Sequence, residues 1–510
     1  MSQPTTHPAA PAETAPHPNS AKRVARRPHP LMLAVLIGAI AIGAMVSLVL
    51  GPRTPRLGDV STGDPQLAAD VRAVLTTDRG YGALSVARVR DGRVAYAGLG
   101  TAAGQVPTPQ TPFEMGSITK PITGMLLADA VQRDEMRLEA PVSTYLPELS
   151  GTPVGSATLA ELATHTAGLP GSPKALALGT TLSSSANENP FGVTTSDLLQ
   201  ASRNTPIKDR GTYSYSNLGM SLLGHAEARA AKAADWPALA TARVLRPMGM
   251  TRTSFAMTAD DVPPNAAPPR RDNGWPAANW YGPAFAPAGS STWTTAEDLA
   301  RFAQGLLADR AVGMAALEPR LSTGTREIGL AWQISERDGR QITWHNGATG
   351  GYRTMLALDR DRQQAVVVLG NTTRWTDKLG LALAATESGA AITATDRPRG
   401  PGTGTLMATL VGLLALASFG REAARARDRL TVATALLSGV AGMLVLLAYG
   451  PWSLVPGWAW GSIAGVFSVG VVWAVRRALR LPGLPSRRPA MAWLSLVSTL
   501  LLVTLVIRWL

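Results

Sequence analysis

The 510-residue chain contains no cysteine. That excludes disulfides, thiolate nucleophiles and zinc–thiolate centres together, and a large exported domain can bury enough core to do without crosslinks. Lysine is also scarce. Lys22, Lys120, Lys174, Lys208, Lys232 and Lys378 are six among 48 basic residues, so positive charge here is ordinarily arginine. Histidine is limited to six residues, and no His/Asp/Glu group has metal-ligand spacing, so neither a metal nor another cofactor is expected. There is no internal repeat.

Acidic residues are in deficit, 35 against 48, which leaves a formal net charge of +13. The location of that surplus decides its meaning. Residues 52–400 carry 34 basic and 32 acidic side chains and are close to neutral. The excess lies in the N-terminal tail (Lys22, Arg23, Arg26, Arg27), at 421–429, at 476–489 and at Arg508, always beside apolar runs. This pattern belongs to membrane topology, so the lipid bilayer is an expected partner and nucleic acid is not.

Residues 1–30 are rich in Pro, Ala, Thr and His and read as a disordered cytoplasmic tail. The uncharged run at 31–51 is long enough to cross a bilayer, follows four basic residues and lacks a small-x-small cleavage site. It reads as an uncleaved transmembrane signal anchor that leaves the N-terminus inside and sends the following chain outside. Residues 52–396 form the expected extracytoplasmic domain, 397–404 a Pro/Gly linker, and 405–510 a four-helix transmembrane region. Its apolar runs are at 405–420, 430–450, 453–475 and 490–507, and both intervening arginine clusters fall inside, giving five spans and an outside C-terminus. Within the domain, a helix is expected at 65–78, a hairpin at 83–100 turning at Asp91-Gly92, a helix at 125–136, and successive strands in QITWHN, TMLALD and QAVVVLGN. Helices in the middle and strands at both ends imply an α+β domain whose sheet is closed by the two ends of the domain.

Among the lysines, only Lys120 has a serine three positions before it, in EMGSITKPITG (114–124). An arginine keeps its proton in a protein, whereas a desolvated lysine can lose it. Ser117 beside such a lysine reads as an activated nucleophile; the alternative is an ordinary helix cap. If Ser117 opens a helix, Lys120 shares its face, and the free N–H groups there favour developing negative charge. Pro121 confines both residues to the first turn.

Two further motifs carry candidate chemistry. In GTYSYSNLGM (211–220), Tyr215 and Asn217 precede a helical stretch and can face one cavity, a phenol for proton transfer and an amide for a substrate carbonyl. The alternative is a tyrosine-rich turn. In TWHNGATGGYRTMLALD (343–359), His345 and Gly347 sit on an expected edge strand, where glycine lets a substrate backbone approach. The alternative is a structural histidine. His165 in LATHTAGLP reads as a structural hydrogen-bonding residue, and His225 on a helix is unassigned.

Ser-x-x-Lys, Tyr-x-Asn and His-x-Gly in this order resemble the motif triad of the serine β-lactamase and penicillin-binding-protein superfamily. The chain is most similar to its class C β-lactamase-like branch, which includes D-alanyl-D-alanine carboxypeptidases, D-aminopeptidases and related esterases. The resemblance covers roughly 65–390 and takes in LATHTAGLP (162–170), LRPMGM (245–250), PAGSSTWTTAEDLARFAQ (287–304) and HNGATGGYRTMLALDRDRQQAVVVLGN (345–371). It implies an antiparallel sheet with a helical subdomain. It also implies Ser117 as acylated nucleophile, Lys120 as its base and Tyr215 as proton shuttle. Asn217 would position the substrate amide, His345 and Gly347 would form the substrate strand, and the backbone amides of Ser117 and Ala348 the oxyanion hole. His345 stands where the family more often has lysine, which weakens recognition of a substrate carboxylate and favours a peptidase or esterase. No motif identifies a separate deacylation residue. The expected protein is a membrane-anchored serine hydrolase of peptides, amides or esters, β-lactams included; the alternatives are a penicillin-binding sensor and a catalytically idle membrane scaffold.

Overall fold

The computed structural model describes residues 30–185, 187–337, 339–385 and 403–483, together with Val497. The tail up to residue 29, most of the 397–404 linker and, Val497 apart, the apolar run at 490–507 lie outside the described residues.

The described residues form twelve strands: β1 (Ser61–Gly63), β2 (Ala83–Arg90), β3 (Arg93–Gly100), β4 (Phe113–Glu114), β5 (Ser254–Phe255), β6 (Thr292–Thr294), β7 (Leu321–Ser322), β8 (Glu327–Ile328), β9 (Gln333–Arg337), β10 (Arg340–Ala348), β11 (Arg353–Asp359) and β12 (Gln364–Gly370). Nine form one antiparallel sheet in the order β1-β3-β2-β12-β11-β10-β9-β8-β7, and β4, β6 and β5 form a small second sheet. The expected hairpin is β2–β3. Asp91 and Gly92 have φ of 48° and 74°, the two positive values a two-residue turn needs to match strand twist. β2 pairs with β12 from Gln364↔Arg90 to Gly370↔Leu84, so the two ends of the domain meet at mid-sheet, as expected. β12 is buried along its whole length. Val367 and Leu369 enter the larger core under the helical subdomain, while Val366 and Val368 enter a second core on the other face; hence its unbroken apolar run.

The helices that matter here are α1 (Pro30–Leu50), α2 (Pro65–Val74), α3 (Thr119–Gln132), α4 (Asn217–Ala230), α5 (Ala296–Leu307), α6 (Asp377–Ala385), α7 (Thr403–Arg425), α8 (Arg429–Tyr449) and α9 (Trp458–Ala478). α2 is shorter than the expected 65–78; the Asp64 carboxylate caps it by accepting from Leu67 N at 2.7 Å, and the chain turns extended at Leu75. α3 begins six residues before the expected 125 and stops at Gln132. Its residues from Thr119 to Ala130 are all buried, so no amphipathic period marks its first turns, and Asp134 at φ 57° closes it. Pro121 is the third residue of α3, where an amide proton would lack an intrahelical partner anyway.

Among the described residues four helices, α1, α7 from Thr405, α8 and α9, are long and apolar enough to cross a membrane. The run expected at 405–420 is thus longer than it reads, and α9 starts only at Trp458, past Pro456. α1 packs along α9, and α7 along α8.

α2 is tied to the sheet by a buried ion pair, Arg88 Nη1 to Asp70 Oδ2 at 2.6 Å, with both side chains 8% exposed. Removing one member strands the other charge in the core. Asp70→Ala should cost about 3–5 kcal/mol of stability, read as a fall in the denaturation midpoint of the detergent-solubilised protein; an unchanged midpoint would contradict this account.

Candidate active site

Ser117 lies in a single 3₁₀ turn, Gly116–Ile118, that runs directly into α3. Lys120 is therefore on the second residue of the helix, with its Nζ 2.9 Å from Ser117 Oγ and 2.7 Å from the Ala288 carbonyl. Its side chain is fully buried, and that desolvation holds its amine well below the ordinary lysine range. A neutral amine can donate one N–H to Ala288 O and offer its lone pair to the Ser117 hydroxyl. The geometry thus supplies what proton abstraction from serine requires.

Gly116 and Gly347 allow the turn and the sheet to touch. Gly116 has φ 60°, and a Cβ there would lie 2.9 Å from Ala348 N. A Cβ on Gly347 would lie 2.3 Å from Met115 O, 2.1 Å from Thr354 Oγ1 and 3.2 Å from Ser117 N. The amides of Ser117 and Ala348 are thereby brought to one place, and both residues line the cavity.

Tyr215 and Asn217 reach the same cavity. Ser216 is the cap of α4: its hydroxyl accepts from Gly219 N at 2.9 Å and donates to Pro170 O at 2.7 Å. Tyr215 sits just before that cap and Asn217 just after it, which turns both toward Ser117. The Lys120 Nζ lies 4.8 Å from the Tyr215 ring centroid. Burial raises the phenol's pKa and a hydrogen bond with Ser117 opposes the rise. The residue as a whole stays 40% exposed, so water moderates the effect at a hydroxyl otherwise enclosed by protein.

The cavity has a volume of about 450 Å³. Atoms of Trp344, Asn346 and Ala348 on β10 line it, although the Trp344 side chain, and Met355 opposite Asn346, belong to the second core on the other face of the sheet. His345, opposite Leu356, lies on the face toward the helical subdomain, beside Lys120 and Tyr215, and a Cβ on Gly347 would meet Ser117 N on that same face. His345 is 1% exposed, its Nδ1 2.6 Å from the Asn346 carbonyl and its ring 6.4 Å from that of Tyr215. Burial, then the nearby Lys120 amine, push its pKa down to about 3, so it is neutral at physiological pH. β9 pairs with β10 only from Arg340 to Trp344, which leaves the edge from His345 to Ala348 open on that side.

Two residues escaped the sequence reading. Asn346 was passed over between His345 and Gly347, because alternation puts its side chain on the opposite face of the strand; it reaches the cavity at the strand's open edge. His165 is a structural hydrogen-bonding residue, as expected, and what it holds is the site: Nδ1 accepts from Ser216 N at 3.2 Å, its carbonyl accepts from Ser214 N at 2.8 Å, and its ring lies 4.7 Å from Tyr215. It holds the Tyr215 loop from both sides. Glu114 is 1% exposed and accepts from Trp280 N at 2.7 Å, and Trp280 lines the cavity; nothing local in the sequence marks this contact. His225 is structural, its Nε2 2.9 Å from Ala284 O. No group of three or more His, Asp or Glu could hold a metal among the described residues.

The Beta-lactamase family profile matches residues 67–391. A beta-lactamase of Escherichia coli (strain K12) is 27% identical over 337 residues, 56% of this chain and 83% of that protein. A beta-lactamase of Yersinia enterocolitica is 37% identical over a shorter stretch of 109 residues, 20% of this chain and 28% of that protein. Among solved structures, the class C beta-lactamase of Rhodobacter sphaeroides superposes with a TM-score of 0.52 at 22% identity, over 62% of this chain and 96% of that one.

Burial pushes the Glu114 carboxyl up to about 8. The folded protein therefore keeps this proton over a range in which the unfolded chain, ionising near the ordinary glutamate value of about 4.3, has lost it. Stability should fall with rising pH between those two values and level off above the upper one. Glu114→Gln keeps an acceptor for Trp280 and removes the ionisation, so its melting temperature should vary less from pH 5 to pH 9 than that of the parent. Equal slopes would refute the assignment.

Proposed function

The chain belongs to the beta-lactamase family and is a serine hydrolase, and from that premise we propose that it is membrane-anchored, with its catalytic domain outside the cytoplasm, and acts through an acyl-enzyme on peptide, amide or ester bonds. The observation that carries the reading is the 2.9 Å contact between a fully buried lysine amine and a serine hydroxyl at the cavity wall.

In this mechanism neutral Lys120 takes the Ser117 proton as Oγ bonds to the substrate carbonyl carbon. The oxyanion forms against the Ser117 and Ala348 amides, fixed donors that need no reorganisation. Asn217 and Asn346 hold the substrate from opposite walls, and the open edge of β10 can pair with its backbone. Tyr215 passes a proton to the departing nitrogen or oxygen as the scissile bond breaks. Water, activated by the same Lys120–Tyr215 pair, then attacks the ester, releases the acid and returns the proton to Ser117. His345, beside Lys120 and Tyr215, is a neutral ring that adds no positive charge next to the base. D-amino-acid peptides, β-lactams and simple esters are the substrate classes we assign, the last two also serving as probes.

The anchoring proposal rests on the four apolar helices and the arginines that flank them. It places residues 1–30 inside as a cytoplasmic tail, 31–51 across the membrane, 52–396 outside, 397–404 as linker and 405–510 as the remaining spans.

Incubating the full chain with a fluorescent penicillin or an activated ester should give a covalent adduct by intact mass, absent in Ser117→Ala. Lys120→Ala should slow acylation by about 10²- to 10⁴-fold, the usual worth of a positioned base. No adduct from either probe would sink the hydrolase mechanism; a stable adduct without turnover would recast the protein as a sensor. For topology, a reporter fused after Leu510 should be active only outside the cytoplasm, and cytoplasmic activity would remove one span.

A further inference from the structure

The C-terminal end of α8 is capped by the catalytic domain. Asn273 Nδ2 donates to Ala448 O at 2.7 Å, Trp275 Nε1 donates to Leu447 O at 3.0 Å, and the Arg271 guanidinium lies 4.6 Å from the centroid of the Tyr449 ring. Carbonyls in the last turn of a helix have no intrahelical partners, and the negative end of the helix dipole favours a cation. Here one loop of the domain supplies both. The turn after α8 is held as well: Thr54 and Arg79 both donate to Trp452 O, the latter at 2.8 Å.

The segments that make this seat also wall the cavity. The loop carrying Arg271, Asn273 and Trp275 continues to Trp280, a cavity residue. Asp272 N donates to Thr373 Oγ1 at 2.9 Å, and Arg374 Nη1 donates to Arg79 O at 3.0 Å. Trp375, the next residue, lines the cavity with Trp280, Phe191 and Phe285. Two hydrogen bonds thus lead from the helix turn at Trp452 to the residue before Trp375. Close to the same level, Trp458 is 52% exposed and Leu454 39% exposed, next to the start of α9. Amphipathic aromatic residues favour the level where lipid meets water.

From this geometry we infer that the cavity draws its acyl donor from the bilayer surface, and that the substrate is an amphiphilic ester or amide whose apolar tail remains in lipid while its scissile bond reaches Ser117. The inference rests on the hydrolase reading above and adds the substrate class. The α8 seat keeps two cavity walls at the membrane surface, and their aromatic faces suit the apolar part of such a molecule.

The test uses the full chain in phosphatidylcholine nanodiscs and two esters with the same scissile group, one short and soluble, the other carrying a lipid tail. The tailed ester should be turned over at least tenfold more efficiently in kcat/KM. The double variant Asn273→Ala, Trp275→Phe, which leaves the catalytic residues and cavity lining untouched, should lose most of that advantage while keeping its rate on the soluble ester. Equal efficiency for the two esters, or an advantage that survives the double variant, overturns the inference. Absence of Ser117-dependent turnover of the soluble ester instead overturns the hydrolase reading on which it stands. Because the chain has no cysteine, Asn273→Cys with Ala448→Cys probes the seat itself. Oxidation should give one intramolecular crosslink in the nanodisc with soluble-ester turnover retained; no crosslink, or a crosslinked protein without turnover, overturns the seat.

Discussion

The site depends on one buried amine. Lys120 has no exposed surface and no carboxylate partner in any ion pair among the described residues, so its charged form is the expensive one and the neutral form is what the fold holds. Much nearby structure serves to place that nitrogen. Thr123, one turn along α3, donates to Pro287 O at 2.8 Å, and Lys120 itself reaches the neighbouring Ala288 O. α3 is thus fastened to the 287–288 segment on the face that carries the amine. His165 and His345 both feel that amine and are themselves pushed toward neutrality by burial. Three basic groups share a small volume, and a proton on any one raises the cost of a proton on the others.

Strand alternation performs the second division of labour. On β10 the odd-numbered His345 and Gly347 face Lys120 and the Ser117 turn, while Trp344 packs into the second core on the other face. The strand therefore gives the site a neutral ring and a close backbone approach on one face, and an open edge beyond Trp344 where a substrate can pair. A lysine in place of His345 would put a second, more basic amine beside Lys120 in a place without water. The histidine is better suited to a site that keeps its base unprotonated without a counter-ion.

What could be read from the sequence follows the range of the interaction. Ser117 and Lys120 are three residues apart, so their contact is a property of one helical turn and was legible. The β2–β3 hairpin, fixed by Asp91-Gly92, was legible for the same reason. Tyr215 and Asn217 were legible because a local cap at Ser216 orients both. α3 was misplaced at its start because a helix buried on every side leaves no periodic trace. Glu114 was missed, and the partner of the structural His165 was not legible, because both contacts exist only across the fold: Glu114 meets Trp280 across 166 residues, and His165 meets Ser216 across 51. No window of sequence contains both partners of either contact.

The same limit applies to the helices beyond the domain. Their composition says they can cross a bilayer, but not where the domain rests on them. Asn273 and Trp275 gain a role only when the last carbonyls of α8 are placed opposite them. Once they are, the usual separation of an apolar helical region from a catalytic domain no longer describes this chain. The domain joins α1 through the segment after Leu50, where Thr54 is bonded to Trp452 O, and it joins α8 through Asn273 and Trp275. Two points of attachment, far apart in sequence, restrict how the domain can turn on the helices, which a single flexible tether would not. A hydrolase that only needed retention at a surface could use one anchor. One whose cavity walls are themselves part of the attachment has its orientation specified.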